Sequence, residues 1–404
     1  MKLAIPGEPH LTYCTNIHPG ETWPEVRANL ERHVTSVKRA VAADRSFGIG
    51  LRLSAAAADA LAEPAELAAL RNWLAAEGMY VFTVNGFPYG AFHGTRVKER
   101  VYEPDWRDER RVAYSDRLAT LLAALLPEDH GRYGSVSTVP GAFRPSAPGA
   151  ADRAAIADAL VRHVARLVAL EAETGRWVRL ALEPEPWCLL ETVEDAVGFF
   201  HAHLWTAAAA ARLAAHTGRT PAASADLLRR HLGLCFDACH MAVEFADPEA
   251  AIDRLRAAEI DLVKVQVSAG MTATLGGDAD GATRTALAAF ADDIYLHQVV
   301  ERRGAELRRF LDLPDALAAP PADPGPREWR VHFHVPLFRE NLGVLRSTRA
   351  WAAALLRRLA ADGYAGHLEI ETYTWDVLPP GFRDVSVATA VARELCWTMD
   401  RLGA

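Results

Sequence analysis

Short apolar or β-branched runs alternate with longer stretches of helical period along the whole chain, and this rhythm constrains the fold more than any other feature. Strand-like runs fall at 11–17, 47–54, 79–84, 134–139, 178–183, 233–237 and 261–268, and again at 330–335 and 367–373. Helical stretches lie between them, near 23–41, 55–77, 107–126, 152–174, 192–217, 284–310, 343–362 and 384–402. In the first of these, Val26, Leu30, Val34, Val37 and Val41 recur at spacings of three and four, the period of one helix face. Strands alternating with helices pair in parallel, because a parallel neighbour is reached only through a long crossover. Eight or nine strands in 404 residues predict an α/β fold, a (β/α)8 TIM barrel with extended βα loops. A doubly wound sheet would place a glycine-rich phosphate turn after its first strand. The chain instead reads Asn16-Ile-His-Pro-Gly-Glu-Thr-Trp23 there.

Three stretches interrupt the rhythm: 86–106, rich in Gly, Pro and aromatics; the small-residue run 269–283; and the Pro-rich 313–328. Strands and helices resume after each, so they are expected as loop insertions, about 86–106 and 269–329, in a single domain spanning 1–404. Loops of that length often act as lids or binding loops. The run Asp278-Ala-Asp280-Gly begins like a calcium loop but lacks the later ligands and the closing Glu, and reads as a flexible turn. Acidic residues outnumber basic ones, 52 to 44, for a net charge of −8. That balance disfavours nucleic acid and a polybasic membrane anchor. Pro6 and Glu8 stand where a signal peptide would be apolar, and no run approaches a membrane span. A cytoplasmic protein without membrane insertion is expected. The five cysteines, Cys14, Cys188, Cys235, Cys239 and Cys396, suggest no disulfide framework. Cys235, Cys239 and His240 lack the paired spacing of a structural zinc site, and the two thiols read as buried small side chains.

In a barrel of this kind chemistry sits at the C-terminal strand ends, and polar residues gather there. The ends read Glu183-Pro-Glu185, Asp237-Ala-Cys-His240, Lys264-Val-Gln266-Val-Ser268, His332-Phe-His334 and Glu369-Ile-Glu371-Thr-Tyr373. Alternate residues of a strand share a face. Glu369, Glu371 and Tyr373 therefore point inward, away from Leu368 and Ile370, and His332 and His334 lie opposite Phe333. Carboxylates turned into a barrel need a compensating charge, which a divalent cation supplies. Oxygen and imidazole ligands together suit Mn, Mg, Co or Zn, with Mn favoured for an oxygen-rich set. Ordinary structural roles stand beside these: salt bridges for Glu183 and Glu371, an ion pair for Glu369, a helix cap for Asp237, a solvated loop carboxylate for Glu185, packed core positions for His332 and His334. His18, Asn85 and His93 follow strands one and three and are expected to line or lid the same pocket, or else to cap their loops.

The ordered residues Glu183, then Asp237-x-x-His240, then a His-bearing strand, then Glu371 resemble the xylose-isomerase-like TIM barrels. That superfamily includes sugar isomerases and epimerases, inosose dehydratases and barrel-type endonucleases. Longer strings, Thr12-Tyr-Cys-Thr-Asn-Ile-His-Pro-Gly-Glu-Thr-Trp23, Asn85-Gly-Phe-Pro-Tyr-Gly-Ala-Phe-His93, Val97-Lys-Glu-Arg-Val-Tyr-Glu-Pro-Asp-Trp106 and His332-Phe-His-Val-Pro-Leu337, are similar to the Ebo-type metabolite traffic protein E family. This second resemblance implies a place beside other proteins of one gene cluster, in making or moving a secondary metabolite. The first implies that Glu183 and Glu371 are metal ligands and the two proton-transfer carboxylates, with Asp237 a metal ligand and His240 a contact to a substrate hydroxyl. Where the epimerases present a metal-binding His on strand seven, this chain has Gln266, or else His334 arrives from a later strand. Two functions follow. One is a metal-dependent sugar or cyclitol isomerase or epimerase, or a related lyase, whose substrate also meets His18, Asn85, His93 and His332. The other is a non-catalytic binding or carrier protein on the same barrel.

Overall fold

The computed structural model describes residues 1–128, 133–276, 280–320 and 325–404. Its central sheet has eight parallel strands: β1 (His10–Tyr13), β2 (Phe47–Arg52), β3 (Met79–Asn85), β4 (Gly134–Thr138), β5 (Val178–Leu182), β6 (Leu232–Asp237), β7 (Leu262–Val267) and a closing strand (His367–Ile370). β2 to β7 neighbour one another in chain order, and the closing strand lies between β7 and β1. The remaining seam, β1 against β2, is joined by side chains and one backbone bridge. Thr12 Oγ1 donates to the Gly48 carbonyl at 2.7 Å and accepts from the Gly50 amide at 3.1 Å. The Arg52 amide donates to Thr15 Oγ1 at 2.9 Å, and Cys14 bridges Gly50 in parallel register. The sheet is thus a nearly closed (β/α)8 TIM barrel. Gly50 is required at the seam: a Cβ there would lie 1.9 Å from Glu369 Oε1 and 2.7 Å from the Tyr13 carbonyl.

The helices form where their apolar stripes meet the outer faces of the strands. Val26, Leu30, Val34 and Val37 are buried along the first crossover, which opens with a capping box between Thr22 and Glu25. The last helix, Val387–Leu402, is capped by Ser386 and ends at Gly403 with φ +74, the left-handed stop that glycine adopts without strain. Inside the barrel Lys264 and Glu369 form a fully buried ion pair at 2.6 Å, the role expected for Glu369. No helix of the described residues is long and apolar enough to cross a membrane. All five cysteines are free, and Cys235 and Cys239 are buried.

The segment between β7 and the closing strand departs from expectation. Instead of loops it builds a second, six-stranded antiparallel sheet, ordered Glu306–Phe310, Val299–Arg303, Arg327–Val331, Met271–Leu275, Leu345–Ser347 and Asn341–Leu342. The stretch 284–310, expected as one helix, holds the end of a helix at Asp280–Ala288 and then a hairpin turning at Gly304, φ +57. Val299, Val300, Leu307 and Phe310 show no alternation with a period of two, and pairing with Arg327–Val331 selects the strand. That partner was expected at 330–335 as a barrel strand, but it belongs to this sheet and ends at Val331. Asp278 lies outside the described residues, while Asp280 begins a helix and pairs with Arg327 at 3.1 Å.

Candidate functional site

β5 delivers Glu183 to the barrel rim, where its amide donates to the Thr138 carbonyl at 3.1 Å and extends the β4–β5 ladder by one residue. β6 ends on Asp237, which caps the helix Ala238–Val243. Its Oδ1 accepts from the His240 amide at 2.9 Å and from Ser268 Oγ at 2.8 Å, while Oδ2 has no hydrogen-bond partner. Capping therefore uses one oxygen and leaves the other aimed into the protein. Glu371 follows the closing strand, and its Oε1 accepts from Asn16 Nδ2 and Asn85 Nδ2, both at 2.8 Å. One ligand oxygen from each of Glu183, Asp237 and Glu371 lies within 4.8 Å of the others, and all three residues are buried.

Three carboxyls so close repel one another's charge. Burial, reinforced by Asp237 and Glu185, raises Glu183 to about 8. Burial, with Glu183 and Asp237, holds Glu371 well above the carboxylate range. Glu183 and Glu371 thus keep their protons at neutral pH unless a cation replaces them. The residues fit a divalent ion: Glu183 Oε2 and Asp237 Oδ2 are buried without hydrogen-bond partners, and so are both amide atoms of Gln266. Gln266 sits in register with Asp237 and Glu369.

Beside the carboxyls stands a histidine cluster. His240 Nδ1 donates to the Pro184 carbonyl at 2.9 Å, and its Nε2 lies 3.1 Å from His332 Nε2. His332 Nε2 is in turn 3.3 Å from His334 Nε2, whose ring donates from Nδ1 to the Glu371 carbonyl at 2.8 Å. His332 and His334 project together, as expected, but from the chain beyond the Arg327–Val331 strand. Burial and the neighbouring imidazoles depress His332 far below its usual value. Burial lowers His334 to about 4. For His240 burial is outweighed by Asp237, Glu185 and Glu183, which raise it.

Above these groups lies a pocket walled by Phe87, Phe92, Tyr102, Tyr295 and Tyr373, with Glu183, Glu185, His240, His332, Glu371, Asn16 and Asn85 at its base. Loop 86–106 supplies much of the wall. It is fastened by Lys98, whose Nζ donates to the Asp292 and Tyr295 carbonyls and pairs with Asp312 at 2.6 Å. Glu185 is buried, not solvated, and accepts from Tyr102 OH at 2.9 Å; burial raises it to about 7. Two expected residues lie elsewhere. His18 stacks on His33 at 4.3 Å and faces a separate outer groove, because the turn Thr15–Ile17 carries it behind Tyr13. His93 packs edge-on to Phe92 with Nδ1 3.5 Å from Glu21 Oε1 and does not line the pocket. Sequence reasoning missed Asn16, Tyr102, Gln298 and Lys98. Only Asn16, three residues past β1, carries a positional signal.

An eight-stranded parallel barrel with an acidic and imidazole-bearing C-terminal rim defines the class. No protein-family model matches the chain, and no curated protein matches it. Among solved structures, a xylose-isomerase-like TIM barrel protein from Mycobacterium smegmatis in complex with magnesium is similar, with TM-score 0.51 and 12% identity over 99% of this chain and 97% of that one. A D-tagatose 3-epimerase-like protein aligns with TM-score 0.47 and 12% identity over 98% of each chain. A probable 3-DHS dehydratase of petrobactin synthesis from Bacillus anthracis aligns with TM-score 0.45 and 11% identity over 96% of this chain and 97% of that one. The likeness is one of fold, the xylose-isomerase-like barrel.

Proposed function

We propose that the protein is a metal-dependent isomerase or epimerase of a polyhydroxylated carbonyl compound, a sugar or cyclitol. The observation behind this reading is the convergence of Glu183 and Glu371, both raised in pKa, with Asp237 beneath an aromatic pocket. A divalent cation held by Glu183, Asp237 and Glu371, with Gln266 or His334 as fourth ligand, would supply Lewis-acid polarisation of a carbonyl. The oxygen-rich set favours manganese, with magnesium, cobalt or zinc as alternatives. The chain's own carboxyls move the protons. With one oxygen of Glu183 on the ion, its other carboxyl oxygen would take a proton from the substrate carbon, and Glu371, held in place by Asn16 and Asn85 and reprotonated from water, would return one to the opposite face. General bases work best with pKa values near the operating pH, and burial brings Glu183 there. His240 contacts a substrate hydroxyl, and Asn85 and His332 complete the pocket base.

The setting we infer is a cytoplasmic secondary-metabolite pathway of the Ebo type, with other proteins of the same gene cluster as partners. The similarity of the strings ending at Trp23, His93, Trp106 and Leu337 supports it, and the unpaired cysteines agree with a reducing compartment. The test is deuterium incorporation from D₂O into a panel of sugars and cyclitols by manganese-loaded protein. Exchange at a carbon next to a carbonyl, abolished by Glu183→Gln and by Glu371→Gln, is the expected result. Tight metabolite binding without exchange would replace this reading with that of a carrier.

A further inference from the structure

The pocket above the carboxyls has two unlike halves. Its base carries the acids and imidazoles, whereas Phe87, Pro88, Phe92, Val97, Val101 and Leu296 line its wall. Phe92, Tyr295 and Tyr373, from three separate segments, close into a triangle of rings with centroids 5.0, 5.2 and 5.1 Å apart. Most polar groups that reach this wall are engaged within the protein. Tyr102 OH donates to Glu185 and accepts from Gln298 Nε2 at 2.8 Å, and Tyr373 OH stands 3.5 Å from His332 Nε2. Among the described residues Lys98 is the only lysine or arginine lining the pocket, and its Nζ is held by two carbonyls and Asp312. The wall is also fixed at both ends. Glu21 Oε1 accepts from the Phe92 and His93 amides at 2.6 and 3.1 Å, and Arg52 joins Glu21 to the Gly90 carbonyl. Farther on, the Val97 and Lys98 amides both donate to the Ile294 carbonyl, at 2.8 and 3.0 Å. Side chains held in this way present a preformed apolar surface.

We propose that the substrate is an uncharged α-hydroxycarbonyl compound carrying an apolar substituent, aryl above all, which packs against the rings of Phe92, Tyr295 and Tyr373 while the polar end meets the carboxyl base. The inference rests on the isomerase reading for that polar end and goes beyond it for the rest of the molecule. A sugar with a hydroxyl on every carbon would press some of them against Phe87, Val97, Val101 and Leu296, where they lose water and gain no partner. An aryl group loses nothing there. It adds edge and face contacts with rings that stand tilted at 49°, 58° and 73° to one another. A phosphate group fits worst. It would enter a pocket that already holds Glu183, Glu185 and Glu371 and, among the described residues, offers no free ammonium or guanidinium to meet it. Loop 86–106, which supplies Phe87, Phe92, Val97 and Val101, is then the segment that sets specificity.

Three probes share one hydroxyketone end and differ at the other: dihydroxyacetone, α-hydroxyacetophenone and dihydroxyacetone phosphate. Their affinities for manganese-loaded full-length protein are read by isothermal titration calorimetry, which needs no turnover. α-Hydroxyacetophenone should bind at least about 10-fold tighter than dihydroxyacetone, and the phosphate should bind weakest. Phe92→Ser should bring the first two toward parity, whereas Phe92→Leu, which keeps apolar bulk, should retain most of the preference. Should Phe92→Ser lose its circular dichroism, Val101→Thr, which keeps the shape and adds a hydroxyl, takes its place and should narrow the preference in the same direction. Equal affinities for the phenyl and hydroxyl probes, tightest binding of the phosphate, or no binding of α-hydroxyacetophenone overturns the inference. So does a preference that survives unchanged in the folded serine or threonine variant. The two readings fail separately. Aryl preference without deuterium exchange removes the isomerase and leaves the pocket chemistry, whereas exchange into plain sugars without aryl preference removes this inference alone.

Discussion

Replacing Glu183 with Gln should stabilise the metal-free protein, and increasingly so as pH rises. In the unfolded chain this carboxyl ionises near its ordinary value of 4.5, whereas burial beside Asp237 and Glu185 moves it to about 8 in the fold. Below pH 4.5 both states hold the proton, and the group has no effect on the pH dependence. Between 4.5 and 8 the unfolded state has released a proton that the folded state keeps, so stability falls as pH rises. Each pH unit in that window costs the fold about 1.4 kcal/mol, or about 4 kcal/mol from pH 5 to pH 8. The amide has the same shape and no charge to desolvate, so Glu183→Gln escapes this loss. Urea unfolding in EDTA at pH 5, 6, 7 and 8 measures it, and the two stability curves should diverge steadily in favour of the variant. Saturating Mn²⁺ should reverse the order, because the wild type alone gains a full carboxylate ligand. Parallel curves across the range would refute the argument, since they would mean that Glu183 is ionised in the folded protein without a cation.

Three further outcomes are expected. Lys264→Met leaves Glu369 charged and fully buried and should destabilise by about 3–5 kcal/mol, most of it recovered in the double variant with Glu369→Leu; equal urea midpoints for both variants would count against the pair. Gly50→Ala places a methyl 1.9 Å from Glu369 Oε1 and 2.7 Å from the Tyr13 carbonyl. It should lower stability by about 1–3 kcal/mol or more, and an unchanged melting temperature would show that the β1–β2 seam is looser than described. Tyr102→Phe removes the hydroxyl that donates to Glu185, so the Glu185 carboxyl should titrate above about 7 by ¹³C NMR; no upward movement would show that Tyr102 does not hold the ionised form.

The barrel and its acidic rim were legible before any tertiary contact was known. Alternating strand and helix periods imply parallel strands, and parallel strands send every C-terminal end to one face, so Glu183, Asp237 and Glu371 had to share a rim. Strand parity placed Glu369 inward, and its isolation there called for a partner, which is Lys264. These are local, periodic properties of the chain. The histidine cluster was not local. His332 and His334 were readable as a pair on one side of Phe333, yet the strand before them belongs to an inserted antiparallel sheet, and their meeting with His240 depends on how that sheet seats over the barrel. The hairpin 299–310 looked helical because its apolar residues show no alternation with a period of two, and a ladder to Arg327–Val331 selected the strand. Asn85 holds Glu371 while His18 turns away to His33, a difference set by one short turn after β1. Periodicity travels along the chain and survives in a single sequence. Pairing across 92 residues, as between His240 and His332, is chosen by burial and hydrogen bonding that arise only once the chain has folded.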